Sequence, residues 1–297
     1  MNEPDQNPYA PGAASAPASA ADVAPQGAIV PGDFTFGEVF NLAGEVFRKY
    51  WLMGSVGVLI FFVMSTSVSL VTTGIELGFA LAMDSLGALS SIGTLIATPL
   101  NYILQIPISF GGTWLGYQAV RSLQREEELR VEHVFEGFKH FLPLFVISLI
   151  QTLIIVAVML PGVLVAGALL YSMGGVDFLD APDELFERPD LVAGPLLAVF
   201  LLSFLPAMYV SMRLYLAQLI CVDRGRGAVD ALKDSWTLTS TAAWKILGFM
   251  IVFGLILLAS SPFWGLAVLL TCGMALFPIF FFMTAVTGAL YTQLTNS

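Results

Sequence analysis

The chain has 297 residues, of which 57% are hydrophobic and 11% charged, where a soluble domain carries roughly 25% charged residues. With a mean hydropathy of +0.83, water is not its main solvent. Its formal charge of −10 and its 12 scattered Lys and Arg argue against nucleic acid as a partner, since no basic stripe tracks a phosphate backbone.

Residues 1–32 are rich in Ala, Pro and Ser and hold no Lys, Arg or apolar core segment. They read as a disordered cytoplasmic tail and not as a cleavable signal peptide, because they have too little apolar surface to bury. From Phe36 the character changes. Phe36, Val39, Phe40, Ala43 and Phe47 recur at helical spacing, which predicts an amphipathic helix lying in the membrane interface, with Thr35 and Glu38 as a capping box at its start.

A helix rises 1.5 Å per residue, so about 20 apolar residues cross a hydrocarbon core roughly 30 Å thick. Trp51 to Met83 is the first predicted span. Ile92 to Val120 is the second, bent or broken at Pro99 and Pro107. Val131, Val134, Phe135, Phe138 and Phe141 or Leu142 form another amphipathic stripe before the third span, Phe141 to Tyr171, which Pro161-Gly162 interrupts. The fourth runs from about Leu191 to Val222 and contains Pro195 and Pro206. A looser stripe, Val229, Leu232 and Trp236, precedes Ile246 to Tyr291, 46 residues without a formal charge. That length is right for a hairpin, with its turn expected within Ser260 to Gly265. The total is six spans in a transmembrane domain covering 33–297. An amphipathic helix precedes a hairpin three times, which fits a three-unit repeat.

Orientation follows from Lys and Arg, which stay in the cytoplasm during insertion. Arg48 and Lys49 precede span one; Arg121, Arg125, Arg130 and Lys139 lie between spans two and three; Arg213, Arg224, Arg226, Lys233 and Lys245 lie at or between spans four and five. Only Arg188 falls outside, in the acidic loop Gly174 to Asp190 with Asp177, Asp180, Asp183, Glu184, Glu187 and Asp190. Both termini are therefore expected in the cytoplasm.

The stretch Ala231-Leu232-Lys233-Asp234-Ser235-Trp236-Thr237-Leu238-Thr239, followed by Trp244, resembles a motif of bacterial six-span membrane proteins. These are the membrane domain fused to glycerophosphodiester phosphodiesterases and its stand-alone relatives. Arg213 late in span four, the Arg121 to Phe141 segment, and Pro278 followed by Leu290-Tyr291 fit the same pattern. The resemblance implies an all-α integral protein of the bacterial cytoplasmic (inner) membrane. No phosphodiesterase domain is present in these residues, so the family's enzymatic label does not transfer.

Ionisable groups inside a bilayer are costly and become candidates by default. Arg213 lies about 15 Å of helix before Asp223. It either ties span four to neighbouring carbonyls or recognises a lipid phosphate, which the planar fork of Arg suits. Glu76 and Asp84 read as solvated ends of span one. Asn101, Gln105, Gln118, Gln151 and Gln218 read as interhelical hydrogen-bonding groups. His133 and His140, seven apart on one helical face, lack the partners of a metal site, and the two cysteines, Cys221 and Cys272, lack zinc or disulfide spacing. Ser235 and Thr239 have no evident base and read as capping residues. Trp236 and Trp244, beside Lys233 and Lys245, read as interface anchors. The expected lipid or interface contacts are thus Arg213, Ser235, Trp236, Thr239, Trp244 and Lys245. Neither cofactor nor catalytic residue is implied. The expected function is non-enzymatic organising, sensing or moving of lipids or small amphiphiles. The alternative is a scaffold for another membrane protein, and a membrane-embedded lipid enzyme ranks third.

Overall fold

The computed structural model describes residues 33–83, 91–174, 197, 200–271 and 273–296. The expected tail (1–32), Asp84, Arg188, Pro195, Cys272 and nearly all of the acidic loop lie outside the described residues. Among those described, every regular element is helical, and five helices are long and apolar enough to cross a membrane: Phe36–Ala80, Phe141–Leu169, Leu201–Arg224, Ala243–Phe263 and Leu276–Thr295. The protein is an integral membrane protein.

Helix α1, Phe36–Met83, runs unbroken for 48 residues, about 72 Å at 1.5 Å each. Of the expected capping box, one half is seen at its start, with the Glu38 N–H donating to Thr35 Oγ1 at 3.4 Å. The expected separate interfacial helix is corrected, because no proline or turn residue parts Phe36–Tyr50 from the span. Its apolar stripe packs on protein instead of lying flat. Phe36 and Phe40 meet Phe249, Phe40 also meets Phe253, and Phe47 meets Phe281 and Phe282.

Helix α2, Ser91–Arg125, continues through Pro99 and Pro107. Each proline removes one backbone donor, yet flanking contacts hold the helix. Gln105 and Ser65 exchange hydrogen bonds across to α1, and Gly116 lies against the Thr284 carbonyl. The chain then turns at Glu126, a non-glycine residue with φ 57°. A 3-10 turn, Val131–Phe135, and the four-residue α3, Glu136–Lys139, follow. The second expected amphipathic helix is therefore two short pieces, and His133 and His140 do not share one helical face. Gly111 and Gly137 explain the close fit of this segment: the Val134 carbonyl sits on the first and the Pro107 carbonyl on the second, where a Cβ would collide.

Helix α4, Phe141–Gly174, also runs through its proline, Pro161. Span four is interrupted instead. A π segment, Phe200–Phe204, leads into α5, Leu205–Leu214; the pair Tyr215-Leu216 turns; and α6, Ala217–Arg224, follows to Gly225 in the left-handed conformation. Then come α7, Ala228–Leu238, α8, Ala243–Leu270, and α9, Leu276–Asn296. The expected turn at Ser260 to Gly265 is corrected: α8 passes through Pro262, and the chain turns after Leu270, where Gly273 adopts φ 89°. A proline in a membrane helix costs little when neighbours shield it, whereas a φ as positive as that of Gly273 favours glycine.

The core sits at one end of the bundle. Val39, Ala43, Val46, Phe110, Leu115, Leu144, Leu216, Phe249 and Ala285 to Leu294 are largely buried there, around the helix ends that carry Arg121, Arg213, Lys245 and the C-terminus. Toward the other end the helices present Leu70, Leu95, Leu153, Leu164, Leu258 and Leu269 outward. In water such exposure would cost about 25 cal/mol per Å²; against lipid tails it costs nothing.

Candidate functional site

Arg213 ends α5 and is only 6% exposed. The turn after Leu214 removes partners from the last carbonyls of α5, and in a membrane those carbonyls must find others. Gln151 Nε2 donates to the Leu214 carbonyl at 2.7 Å. Ser235 Oγ donates to the Arg213 carbonyl at 2.8 Å, and Thr239 Oγ1 shares its one proton between the Ser235 carbonyl at 2.7 Å and the Arg213 carbonyl at 3.2 Å. Four residues apart, these hydroxyls share one face of α7 and its end. Trp236, one position round the helix from Ser235, lies over the guanidinium at 4.3 Å from its ring centroid.

The guanidinium donates from Nη1 to the Ser240 carbonyl at 3.1 Å and weakly to the Tyr209 hydroxyl at 3.5 Å. Among the described residues its Nε is buried without a hydrogen-bond partner, and no carboxylate pairs with it. Tyr209 also stacks near Trp244, at 5.3 Å between centroids.

The six expected contact residues thus divide. Arg213, Ser235, Trp236 and Thr239 come together, and Trp244 joins them through Tyr209. Ser235 and Thr239 are fully buried, so they hold the broken backbone and do not face lipid; only Thr239, the C-cap of α7, stands at a helix end. Trp236 and Trp244 are exposed. Lys245 serves a different contact, with Nζ at 2.6 and 2.7 Å from the two carboxylate oxygens of Asp33. That hydrogen bond, with a second from the Phe34 N–H, holds the Asp33 carboxyl below its usual range. The short spacing of Tyr209 and Arg213, four apart on one helix, was a signal in the sequence for their contact. The Ser240 carbonyl left none.

A second cluster joins three distant segments. Asp223, at the end of α6, accepts from the Tyr117 hydroxyl of α2 at 2.7 Å and from the Tyr291 hydroxyl of α9 at 2.9 Å, with Arg121 at 3.4 Å. The Leu290-Tyr291 pair of the sequence motif therefore has a physical task. A third feature is an apolar cleft of about 560 Å³ between α1, α8 and α9, lined by Phe40, Phe47, Phe253, Ile256, Pro278 and Phe282 among others.

Fold and site together define an all-helical integral membrane protein built around a buried arginine at an interrupted span. No curated protein and no solved structure matches the chain. Residues 131–297 match the family described as "Domain of unknown function (DUF7847)". This is more than half of the chain and includes Arg213 and everything that holds it, and the protein belongs to that family.

Proposed function

We propose that this protein is a six-span, non-enzymatic protein of the bacterial cytoplasmic membrane, with both termini in the cytoplasm, that organises, senses or moves lipids. The observation that carries the reading is Arg213. A buried guanidinium has five donors and a full charge, and here it meets one carbonyl, one hydroxyl and two aromatic faces. Burying a charge without an anion costs several kcal/mol, and a lipid phosphate supplies both the charge and the planar acceptor pair that Arg prefers. Trp236, 42% exposed, stands between this cation and the surroundings. The apolar cleft offers space for acyl chains. The sixth span of this reading is α2, long enough at 35 residues and additional to the five helices named above. The likeness of the Ser235 to Thr239 segment to the membrane domain fused to phosphodiesterases supports the same class.

Reconstitution in liposomes tests the reading. Native mass spectrometry of the full chain is expected to show co-purified phospholipid. Arg213→Ala reduces retention about tenfold, equivalent to about 1.4 kcal/mol, and Trp236→Ala reduces it less. Equal retention in wild type and both variants refutes the reading.

A further inference from the structure

Helix α2, the sixth span of the reading above, carries a polar face over its middle turns. Thr98, the adjacent Asn101 and Tyr102, Gln105, Ser109 and Thr113 follow one another three or four positions apart and so share one side of the helix. From Thr98 to Thr113 the rise is about 22 Å, most of a hydrocarbon core. Polar side chains in a membrane normally turn toward the bundle interior. Here Thr98, Tyr102 and Ser109 are exposed, and Asn101, Gln105 and Thr113 are half-buried.

A cavity opens toward each end of this face. One, of about 400 Å³, lies between α1 and α2 and is lined by Thr72, Glu76, Thr98, Asn101 and Gln105 among others. The other, of about 250 Å³, lies among α2, α4, α5 and α6 and is lined by Thr113, Gln151, Ser211, Tyr215 and Gln218 among others. Hydrogen bonds link the two. The Tyr102 hydroxyl, on the rim of the first cavity, meets Thr152 Oγ1 at 2.7 Å; Thr152 Oγ1 donates to the Ser148 carbonyl at 2.8 Å; and Gln218 Nε2, in the second, donates to Ser148 Oγ at 3.0 Å. Polar side chains thus run from one cavity to the other, with Thr98, Tyr102 and Ser109 exposed along this furrow. Among the described residues neither cavity is lined by Lys or Arg, and Glu76 is the single carboxylate lining them.

We propose that this polar face is a track along which the headgroup of a zwitterionic phospholipid crosses the bilayer while its tails stay in the hydrocarbon outside. Amide and hydroxyl groups replace the headgroup's water in stages, and the open side removes any need to pass the tails through protein. Glu76 complements a headgroup ammonium at one mouth. The inference rests on the lipid reading above and extends it from holding lipid to moving it.

The test uses the full chain in phosphatidylcholine vesicles with a trace of fluorescent phosphatidylcholine and an added membrane-impermeant quencher. Quenching is expected to reach inner-leaflet lipid in protein-containing vesicles and not in empty ones. Gln105→Leu and Thr98→Leu should each slow it roughly tenfold, the scale of one lost polar contact. Thr98 is exposed and guards against misfolding as the cause. Both variants should retain co-purified phospholipid as wild type does. If wild-type protein moves no labelled lipid, or both variants move it at the wild-type rate, the track is wrong. Glycerol-driven swelling of the same vesicles distinguishes a free polar solute: accelerated swelling without lipid movement assigns the furrow to polyols and overturns the proposal. Lipid retained at Arg213 without transbilayer movement overturns the track alone, whereas no retention in wild type overturns the reading beneath it.

Discussion

Replacing Asp223 with Ala should unfasten the bundle where α2, α6 and α9 meet. Its carboxylate accepts from two tyrosines whose residues are nearly or wholly buried, Tyr117 at 8% and Tyr291 at 0% exposure. Removing it leaves two buried hydroxyls without an acceptor, at about 1 to 3 kcal/mol each. The Arg121 contact is longer and one-third exposed on the arginine side, so it adds at most about 0.5 kcal/mol. The sum is about 4 kcal/mol, a fall of roughly 10 °C in the unfolding midpoint for a chain of this size. Thermal unfolding of detergent-solubilised protein measures it. The sharper statement is a coupling. In a Tyr117→Phe, Tyr291→Phe background no hydroxyls are left to strand, so Asp223→Ala should cost about 1 kcal/mol or less. If the substitution costs the same in both backgrounds, the hydrogen bonds to Asp223 are not what joins the helices.

Two other outcomes follow from packing and charge. Gly116→Ala drives a Cβ onto the Thr284 carbonyl and should destabilise by about 2 kcal/mol. Gly248→Ala, with open space around the added methyl, should be neutral or stabilising by up to about 1 kcal/mol in the same unfolding assay. Burial holds the His133 imidazole below its ordinary pKa of 6.5, against the pull of Glu136 and Glu132. Its folded form resists protonation, so its contribution is intact above about pH 6.5 and is lost as pH falls through the lower folded value. Unfolding midpoints of wild type should therefore decline more steeply than those of His133→Gln between about pH 7 and about pH 5.

How much of this could be read from the residues depends on the range of the interaction. The long uncharged stretches announced membrane helices because the cost of charge in oil is set residue by residue. The Thr35 cap needed only residues three apart, and it is where expected. The places of interruption were harder to see. Four prolines, Pro99, Pro107, Pro161 and Pro262, sit inside continuous helices, whereas the helix is interrupted at Tyr215-Leu216, two ordinary residues that keep right-handed backbone angles. A freed carbonyl is tolerated wherever some side chain reaches it, and that depends on neighbours far along the chain. Gln151 and the Ser235–Thr239 pair are such neighbours for α5, and no local pattern assigns them to it.

The same reasoning explains why the Ser-Trp-x-Leu-Thr segment was visible as a motif while its work was not. Read alone, a serine and a threonine four apart near a helix end suggest capping, and a tryptophan beside a lysine suggests an interface anchor. In the fold the serine hydroxyl, and the threonine hydroxyl in a bond shared with its own helix, reach a carbonyl on another helix, 22 and 26 positions earlier, and the tryptophan covers the cation on that same residue. One residue, Arg213, is thus held by its backbone oxygen and screened at its guanidinium by consecutive parts of one short helix. A mere structural staple would be better served by a carboxylate, which would neutralise the charge and occupy Nε. Holding the backbone firmly while leaving the charge unmatched keeps the fork in position for an anion that arrives from outside the chain. This is the arrangement expected of a binding group preorganised on a rigid frame.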